Sequence, residues 1–540
     1  MGRCTLNRRE VLKAIGALTA FMSAPRLALG QAILPETFAN INFNLNETRT
    51  IAIVGAGVAG LAAAYVAARA GFRVVVFERT DRYGGRSLTL RPDDAQYKDW
   101  WFEKYNPTRL FSKMYATSYQ ERDDSPDSVQ QPQNIAGGQG GFAVEKWPGS
   151  DEFVELFLNA GPGRIPSNHS ALINLCGEIG VRLEPYIFAS ASNLLYSPTY
   201  AQGEPVQWRE VNYSLLGQLA EIVSEAVKDG MILRGYEREQ VLSMLRKFGD
   251  LSAEGTFTGS STVGYLREPA GWLTPWTENQ PINLQDILDS GFIGGGDAEQ
   301  TAGSFISSPN RITWQPSLMQ PVGGMDRIWQ QLLLQEIPRS AIDYPAHWSI
   351  PAPDLTNRGG DTGKVYVGDL VRLSTPVTSI SGANGDTARV GTPDGEVQVD
   401  AVIVTVAPAL LSGINSAPTG ITQSSVDNCT NIPESVKSDY DFTRINFPQY
   451  MLIENDLPSY FKEALGSVNR TPANKVGTQG IDRFWERNDG IYGGISWTTH
   501  LSSQIWYPSE DFNAPTGILT AAYNRGLEAY YFAMLSQTER

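Results

Sequence analysis

The chain has 540 residues, of which 41% are hydrophobic and 19% are charged, so it is long enough for two or more domains with a large core. Its formal net charge of −15 disfavours nucleic acid and anionic membranes, and we expect neither as a partner. The three cysteines and three histidines lie far apart along the chain, which indicates neither a disulfide framework nor a metal site.

Residues 1–32 have the features of a signal peptide. Arg8-Arg9 precedes an apolar run over residues 14–24, which is too short to span a bilayer, and small residues follow near position 30. The arginine pair is typical of twin-arginine export, which moves folded proteins. We therefore expect a protein of the periplasm or the extracellular space, without a membrane anchor.

The next element predicts a dinucleotide-binding unit. The buried-strand pattern "TIAIVGAG" leads into Gly55, Gly57 and Gly60 at G-x-G-x-x-G spacing. These glycines permit a tight turn, the approach of a pyrophosphate and close helix packing, and the helix N-terminus attracts phosphate. A second strand, "RVVVF", ends at Glu78, whose carboxylate can accept hydrogen bonds from ribose hydroxyls. The predicted cofactor contacts in this unit are Gly55, Gly57, Ala59, Gly60, Glu78 and Arg79.

The tail of this unit, "RTDRYGGRSLT", resembles the extended signature of the FAD-dependent amine oxidases. The resemblance implies FAD, with Gly84, Gly85 and Arg86 beside the pyrophosphate and flavin and with Arg86 supplying positive charge. A later strand, hairpin and strand unit and the stretch "GGMDRIW" resemble the same family, in which the backbone near Val377 would meet the adenine. The FAD domain is then discontinuous, over residues 48–90, 310–335 and 365–415.

The stretch "NAGPGRIPSNHS" resembles the flavin-adjacent turn of the L-amino acid oxidases within this family. The resemblance implies that Gly161, Pro162 and Gly163 let the backbone approach the isoalloxazine ring, and that Arg164 faces the substrate. A guanidinium matches a carboxylate in a bidentate pair, which suits amino acids rather than simple amines.

The C-terminal third resembles the substrate-domain hairpins of the same family. By this resemblance Lys475 holds a water that serves the reaction of reduced flavin with oxygen, and the Tyr523 hydroxyl adds a second hydrogen bond to the substrate carboxylate. Trp485, Trp497 and Trp506 are predicted to line the core or the pocket wall. The family carries one more flavin element near its C-terminus, and nothing like it follows Tyr523. We expect a truncated sequence or a separate chain that supplies this element.

The remaining segments complete a predicted α/β fold, α+β overall. A Rossmann-like FAD domain is joined to a mixed-sheet substrate domain with a helical subdomain. Residues 91–152 are predicted to be an insertion with a flexible loop, 153–308 the substrate and helical domain, and 416–540 the rest of the substrate domain. The oligomeric state stays open, and a homo-oligomer is one alternative.

The predicted reaction is FAD-dependent oxidative deamination of L-amino acids by hydride transfer to flavin N5, giving keto acid, ammonia and hydrogen peroxide. The substrates would be an amino acid or amine and dioxygen. The alternatives are a decarboxylating amino-acid 2-monooxygenase, an amine or polyamine oxidase, and a non-enzymatic flavin-binding remnant.

Overall fold

The computed structural model describes residues 49–90, 148–150, 154–198, 200–230, 235–258, 282–290, 317–355, 363–382, 387–413, 423–428, 434–439, 452–468, 473–480 and 482–534. The predicted signal peptide and almost all of the predicted insertion lie outside these residues.

The strands and helices are numbered in chain order. The strands are β1 (Thr50–Val54), β2 (Arg73–Phe77), β3 (Thr89–Leu90), β4 (Leu158–Asn159), β5 (Ile165–Pro166), β6 (Leu183–Tyr186), β7 (Leu194–Tyr196), β8 (Val206–Gln207), β9 (Leu318–Pro321), β10 (Glu336–Ile337), β11 (Val365–Tyr366), β12 (Val371–Arg372), β13 (Ser379–Ser381), β14 (Ala388–Thr392), β15 (Gly395–Val399), β16 (Ala401–Val404), β17 (Glu454–Asn455), β18 (Ala473–Gly480), β19 (Gly494–Thr498), β20 (Gln504–Tyr507) and β21 (Gly517–Arg525). The α-helices are α1 (Val58–Arg69), α2 (Ser170–Glu178), α3 (Trp208–Lys228), α4 (Arg238–Phe248), α5 (Leu284–Asp289), α6 (Arg327–Leu333), α7 (Ala409–Ser412), α8 (Gln423–Asp427), α9 (Glu434–Lys437), α10 (Ser459–Gly466), α11 (Phe484–Arg487) and α12 (Gly526–Met534).

A parallel sheet in the order β12-β2-β1-β16 forms the centre of the nucleotide-binding region. Both faces are covered, as parallel sheets require. Ile51 and Ile53 pack into a cluster with α1 and α6, whereas Ala52 and Val54 pack against the hairpin β14–β15. The unbroken apolar run of β1 in the sequence follows from this two-sided burial, and the arrangement confirms the predicted α/β class.

A six-stranded mixed sheet, in the order β18-β21-β20-β19-β7-β8, forms the second layer of strands. β18 and β21 are antiparallel neighbours, with Lys475 directly opposite Tyr523 and Ala473 opposite Arg525. Directly paired residues share one face of a sheet, so these four side chains lie on the same face.

The helical region packs beside this sheet. Helix α3 contacts α4 and α5, and the Tyr213 hydroxyl donates to Asp250 Oδ2 over 2.7 Å. Gly217 of α3 lies against the ring of Phe257, where a side chain would collide with it. The helices here agree with the periodicity in the sequence.

Candidate active site

The turn between β1 and α1 has the geometry of a phosphate-binding loop. Gly55 has φ +102°, which favours glycine, and its N–H donates to Phe77 O over 2.8 Å. A side chain on Gly60 would collide with the Gly55 carbonyl, so α1 approaches the strand as closely as a glycine allows. Helix α1 follows Gly57 as its N-cap, and no side chain caps it. Its first N–H groups are thus placed to bind a pyrophosphate.

The predicted acid Glu78 holds this loop through its carboxylate. Oε2 accepts from Ala56 N over 2.8 Å, and Oε1 accepts from the backbone N and the hydroxyl of Thr80, each over 2.9 Å. A carboxylate has about four acceptor sites, so a ribose hydroxyl can still donate to it. Its neighbour Arg79 is exposed. The buried Val377 packs in the core beside Phe77, close to the end of β2.

The Gly84-Gly85-Arg86 segment lies directly against the nucleotide turn. Gly84 N donates to Ala56 O over 2.9 Å, and Gly84 forms a parallel bridge with Gly57. Gly84 has φ +87°, and a side chain there would meet Trp329 Nε1 at 2.5 Å. The Arg86 side chain is exposed.

Trp329 secures this segment from the α6 side. Its indole N–H donates to Ser87 O over 3.0 Å, and its ring stacks with Tyr83 at 6.3 Å between centroids. The resemblance of the stretch "GGMDRIW" to the family assigned no role to the tryptophan. An indole packed against Gly84 cannot be predicted from spacing alone, because the contact depends on packing between distant segments.

The loop 161–164 is joined to the same segment. Gly161 N donates to Leu88 O over 3.0 Å, β3 pairs with β4, and a side chain on Gly161 would collide with the Arg86 carbonyl. Arg164, three residues further on, is therefore attached by backbone contacts to the predicted cofactor loop.

Arg164 presents its guanidinium to an aromatic wall. Its Cζ lies 4.3 Å from the ring centroid of Trp506, which is a cation–π contact. Burial, with a smaller contribution from the positive charge of Arg525, lowers the pKa of Arg164 to about 10. The guanidinium thus stays cationic at neutral pH and can bind an anionic group.

Lys475 lies between the loop that carries Arg164 and the ring of Tyr523. Its Nζ donates to Asn159 O over 2.8 Å and to Gly161 O over 2.5 Å, and it lies 5.0 Å from the ring centroid of Tyr523. Burial lowers the pKa of Lys475 to about 7, and the charges of Arg164 and Arg525 contribute. Two of the three ammonium donors are used within the described part of the chain, which leaves one for a water or a ligand.

Arg525 is a site residue that sequence reasoning missed. Its Nε and Nη2 donate to the Tyr523 hydroxyl oxygen over 3.1 Å and 2.7 Å. The signal that could have found it is the period of two along a strand, which places Arg525 on the same face as Tyr523.

The wall opposite the loop is aromatic. The ring of Trp506 lies 5.6 Å from Tyr523, 6.2 Å from Tyr186 and 6.1 Å from Phe188, measured between centroids. Of the tryptophans predicted as core or pocket wall, Trp506 lines this wall beside Arg164, while Trp497 belongs to the same apolar cluster.

A second missed feature is a pair of carboxylates bridged by an amide. Gln320 Nε2 donates to Glu184 Oε1 over 2.8 Å and to Glu510 Oε2 over 3.0 Å. Burial, with a smaller contribution from the charge of Glu184, raises the pKa of Glu510 to about 7. Burial raises the pKa of Tyr186 at the aromatic wall, and the carboxyl of Glu510 makes a smaller contribution in the same direction.

The structure thus brings Arg164, Lys475 and Tyr523 together beside the loops that carry the predicted cofactor contacts. Within the described residues, no group of three or more His, Cys, Asp or Glu side chains could hold a metal ion. In the same residues, each helix is too short or too polar to cross a bilayer.

Two family profiles match the sequence. An NAD(P)-binding Rossmann-like domain matches residues 53–115, and flavin-containing amine oxidoreductase matches residues 366–540.

Several curated proteins are similar to the chain. An L-amino acid oxidase from Bothriechis schlegelii is 48% identical over 501 residues, which cover 92% of this chain and 72% of that protein. One from Bothrops pauloensis is 48% identical over 497 residues, or 91% of this chain and 70% of that protein. Among solved structures, a putrescine oxidase aligns over 91% of this chain and 79% of its own, with 18% identity and a TM-score of 0.41. A cyclohexylamine oxidase from Brevibacterium oxydans aligns over 92% and 79%, with 12% identity and a TM-score of 0.42.

Proposed function

Since the chain belongs to the flavin-containing amine oxidoreductase family, we propose that it is an FAD-dependent L-amino acid oxidase, which converts L-amino acids and dioxygen to keto acid, ammonia and hydrogen peroxide. The observation that carries the proposal is the position of Arg164. Its guanidinium lies over Trp506, and Gly161, at the start of the loop that carries Arg164, packs against the Arg86 carbonyl beside the nucleotide turn.

The charges at the site favour an amino acid over a simple amine. Arg164, Arg525 and, below about pH 7, Lys475 are cations that surround the Tyr523 ring and the aromatic wall. A carboxylate is attracted to this cluster, whereas an ammonium group without a carboxylate is repelled.

The residues of the nucleotide region fit FAD. The N–H groups that follow Gly55, Gly57 and Ala59 would bind the pyrophosphate, together with Gly60 close to the strand, and Glu78 would accept from a ribose hydroxyl. FAD, when bound, would accept two electrons from the substrate and pass them on to dioxygen. The remaining predicted contacts are Arg79, Gly84, Gly85, Arg86, Gly161, Pro162, Gly163, Arg164 and Val377.

The roles of the chain's own groups follow from their chemistry. Arg164 and Tyr523 would bind the substrate carboxylate and so fix the direction of the Cα–H bond, and positioning of this kind supplies much of an enzyme's rate enhancement. The Trp506 wall would exclude water from the reacting carbon. In its protonated form Lys475, held on the Asn159 and Gly161 carbonyls, would use its third donor to hold a water there.

We further propose the division into an FAD domain (48–90, 310–335 and 365–415) and a substrate domain (153–308 and 416–540). Support comes from the parallel sheet, in which β1 and β2 pair with β16 and β12.

Export through the twin-arginine route, to the periplasm or extracellular space, is supported by the sequence of residues 1–32. A fusion of these residues to a reporter that is active only after export would test this last proposal.

The activity is tested with purified chain loaded with FAD. Peroxide release is measured with each L-amino acid, with the D-enantiomers and with 2-phenylethylamine, and the organic products are identified. We expect peroxide, ammonia and keto acid from L-amino acids alone. An amide with carbon dioxide would indicate the monooxygenase, preference for the amine would indicate an amine oxidase, and a flavin-loaded chain that oxidises none of them would refute the proposal.

A further inference from the structure

We propose that Arg525 is a positioning residue that fixes the Tyr523 hydroxyl with its proton directed at the substrate carboxylate. The inference rests on the proposed function, because it concerns the group that would bind the carboxylate at that site.

The geometry is a two-point contact on one oxygen. Nε and Nη2 of Arg525 donate to Tyr523 Oη over 3.1 Å and 2.7 Å, and Cζ lies 5.2 Å from the centre of the tyrosine ring. The two residues are two apart on β21, so both side chains are on one face. Opposite Arg525 on β18 stands Ala473, which occupies little of this face.

The chemistry of the two groups decides which way the phenol proton points. A guanidinium has five N–H donors and no acceptor, whereas a phenol oxygen has one O–H donor and acceptor lone pairs. Because Arg525 donates twice to the oxygen, the phenol proton cannot be donated back to Arg525. It must be directed at another acceptor, and an ionised carboxylate accepts only.

The charge of Arg525 strengthens this arrangement. A cationic donor on the phenol oxygen polarises the O–H bond, so the bond that Tyr523 donates is stronger than from an isolated phenol. Tyr523 also lies next to Lys475 and to the Trp506 ring that carries Arg164. The directed proton therefore points into the group of residues that would bind the carboxylate.

A double-mutant cycle tests whether Arg525 acts through Tyr523. We would prepare Arg525→Ala, Arg525→Lys, Arg525→Gln, Tyr523→Phe and the Tyr523→Phe/Arg525→Ala pair, all loaded with FAD. The readouts are the Kd of 3-phenylpropanoate, a carboxylic acid without an amine, by calorimetry, and KM and kcat for L-phenylalanine and L-glutamate. Arg389→Ala is the control, because this exposed arginine pairs with Glu396 on a distant hairpin.

The expected result is a weaker carboxylate site with little change in turnover. Arg525→Ala raises Kd and KM about 5- to 15-fold, as expected for one charge-assisted hydrogen bond lost through a neighbour, and changes kcat less than about threefold. Arg525→Lys restores part of the affinity. In the Tyr523→Phe background the alanine change adds less than about twofold, because there is no hydroxyl left to direct.

Three results would overturn the inference. One is an alanine variant with unchanged Kd, and another is a full effect of Arg525→Ala in the Tyr523→Phe background. The third is a loss confined to L-glutamate, which would make Arg525 a contact for an acidic substrate side chain. If the alanine variant does not fold, Arg525→Gln and Arg525→Lys give the same comparison. Carboxylate binding is measured without turnover, so failure of the oxidase reaction itself is seen separately in the peroxide assay.

Discussion

Replacement of Arg164 by alanine is expected to lower kcat/KM for L-amino acids by roughly 10²- to 10³-fold. A guanidinium that binds a carboxylate makes two charge-assisted hydrogen bonds of about 1.5–3 kcal/mol each, and loss of one partner of such a pair costs about 3–5 kcal/mol. The stacking of Arg164 on Trp506 at 4.3 Å keeps the fork in place, so little of this energy is spent on ordering the side chain. Most of the loss is expected in KM, since the carboxylate is bound in both the ground state and the transition state.

The assay compares two substrate classes on the same variants. Initial rates of peroxide release are measured for an L-amino acid and for the amine that lacks its carboxylate. Arg164→Ala should spare or improve the amine, because a repelling cation is removed, and Arg164→Lys should give an intermediate loss because it keeps the charge without the planar fork. Arg487→Ala is the matched control and should change neither rate, because Arg487 is exposed and pairs with the half-buried Asp482.

The reasoning is refuted if Arg164→Ala keeps KM within about threefold of the wild type. It is equally refuted if both substrate classes lose activity together while the flavin content and the thermal midpoint stay unchanged. That outcome would place the carboxylate elsewhere and leave Arg164 without a part in recognition.

Three further predictions concern groups around the site. The pKa of Lys475 in the folded protein falls to about 7. Between about pH 7 and pH 10 the unfolded chain therefore binds one more proton than the folded protein, and the free energy of unfolding rises with pH over this window. Lys475→Met should lack that rise in urea unfolding at pH 6 to 9. The pH dependence that Glu510 contributes has the opposite sign. Its pKa is raised to about 7, so its contribution to the free energy of unfolding falls as pH increases from about 4 to 7. In the same urea measurement, Glu510→Gln should be more stable than the wild type at pH 8 and equally stable near pH 4. Gly84→Ala should reduce the flavin bound per chain at least tenfold, measured by absorbance, because a side chain there would meet Trp329 at 2.5 Å. Gly71→Ala is the control, because a side chain there would have no neighbour within 4 Å. This variant should keep the flavin but lose some stability, because Gly71 has a positive φ.

The nucleotide-binding unit could be predicted from the sequence because its requirements are local. Gly55 must adopt a positive φ and Gly60 must admit a carbonyl, and both needs are met within one strand, turn and helix. Arg164 could be predicted only through a resemblance, since nothing near it in the sequence identifies its partners. The comparisons confirm the family, the α/β class, the cofactor and the enzyme class. The roles of the individual site residues stay predictions.

The residues that were missed depend on long-range pairing. Arg525 lies beside Tyr523, and Tyr523 pairs with Lys475 on the neighbouring strand, 48 positions earlier in the chain. The Gln320 bridge between Glu184 and Glu510 joins three segments. The period of two along β21 connects Arg525 with Tyr523, but no period connects Gln320 with its two carboxylates or β18 with β21, so tertiary packing alone reveals those contacts.

The pairing of β1 with β16 has a consequence for biogenesis. Thr50 N and its hydroxyl donate to Asp400 Oδ2 over 2.7 Å and 2.9 Å, and Ile51 pairs with Ala401, across about 350 residues of intervening chain. β1 leaves the ribosome long before its partner β16, and contacts of this sequence separation make assembly slow. At about 5–20 residues per second, synthesis of the intervening chain takes on the order of 20 to 70 seconds, during which an apolar strand has no neighbour on that side. The newly made protein should therefore need chaperone protection until β16 pairs with β1 and completes the parallel sheet.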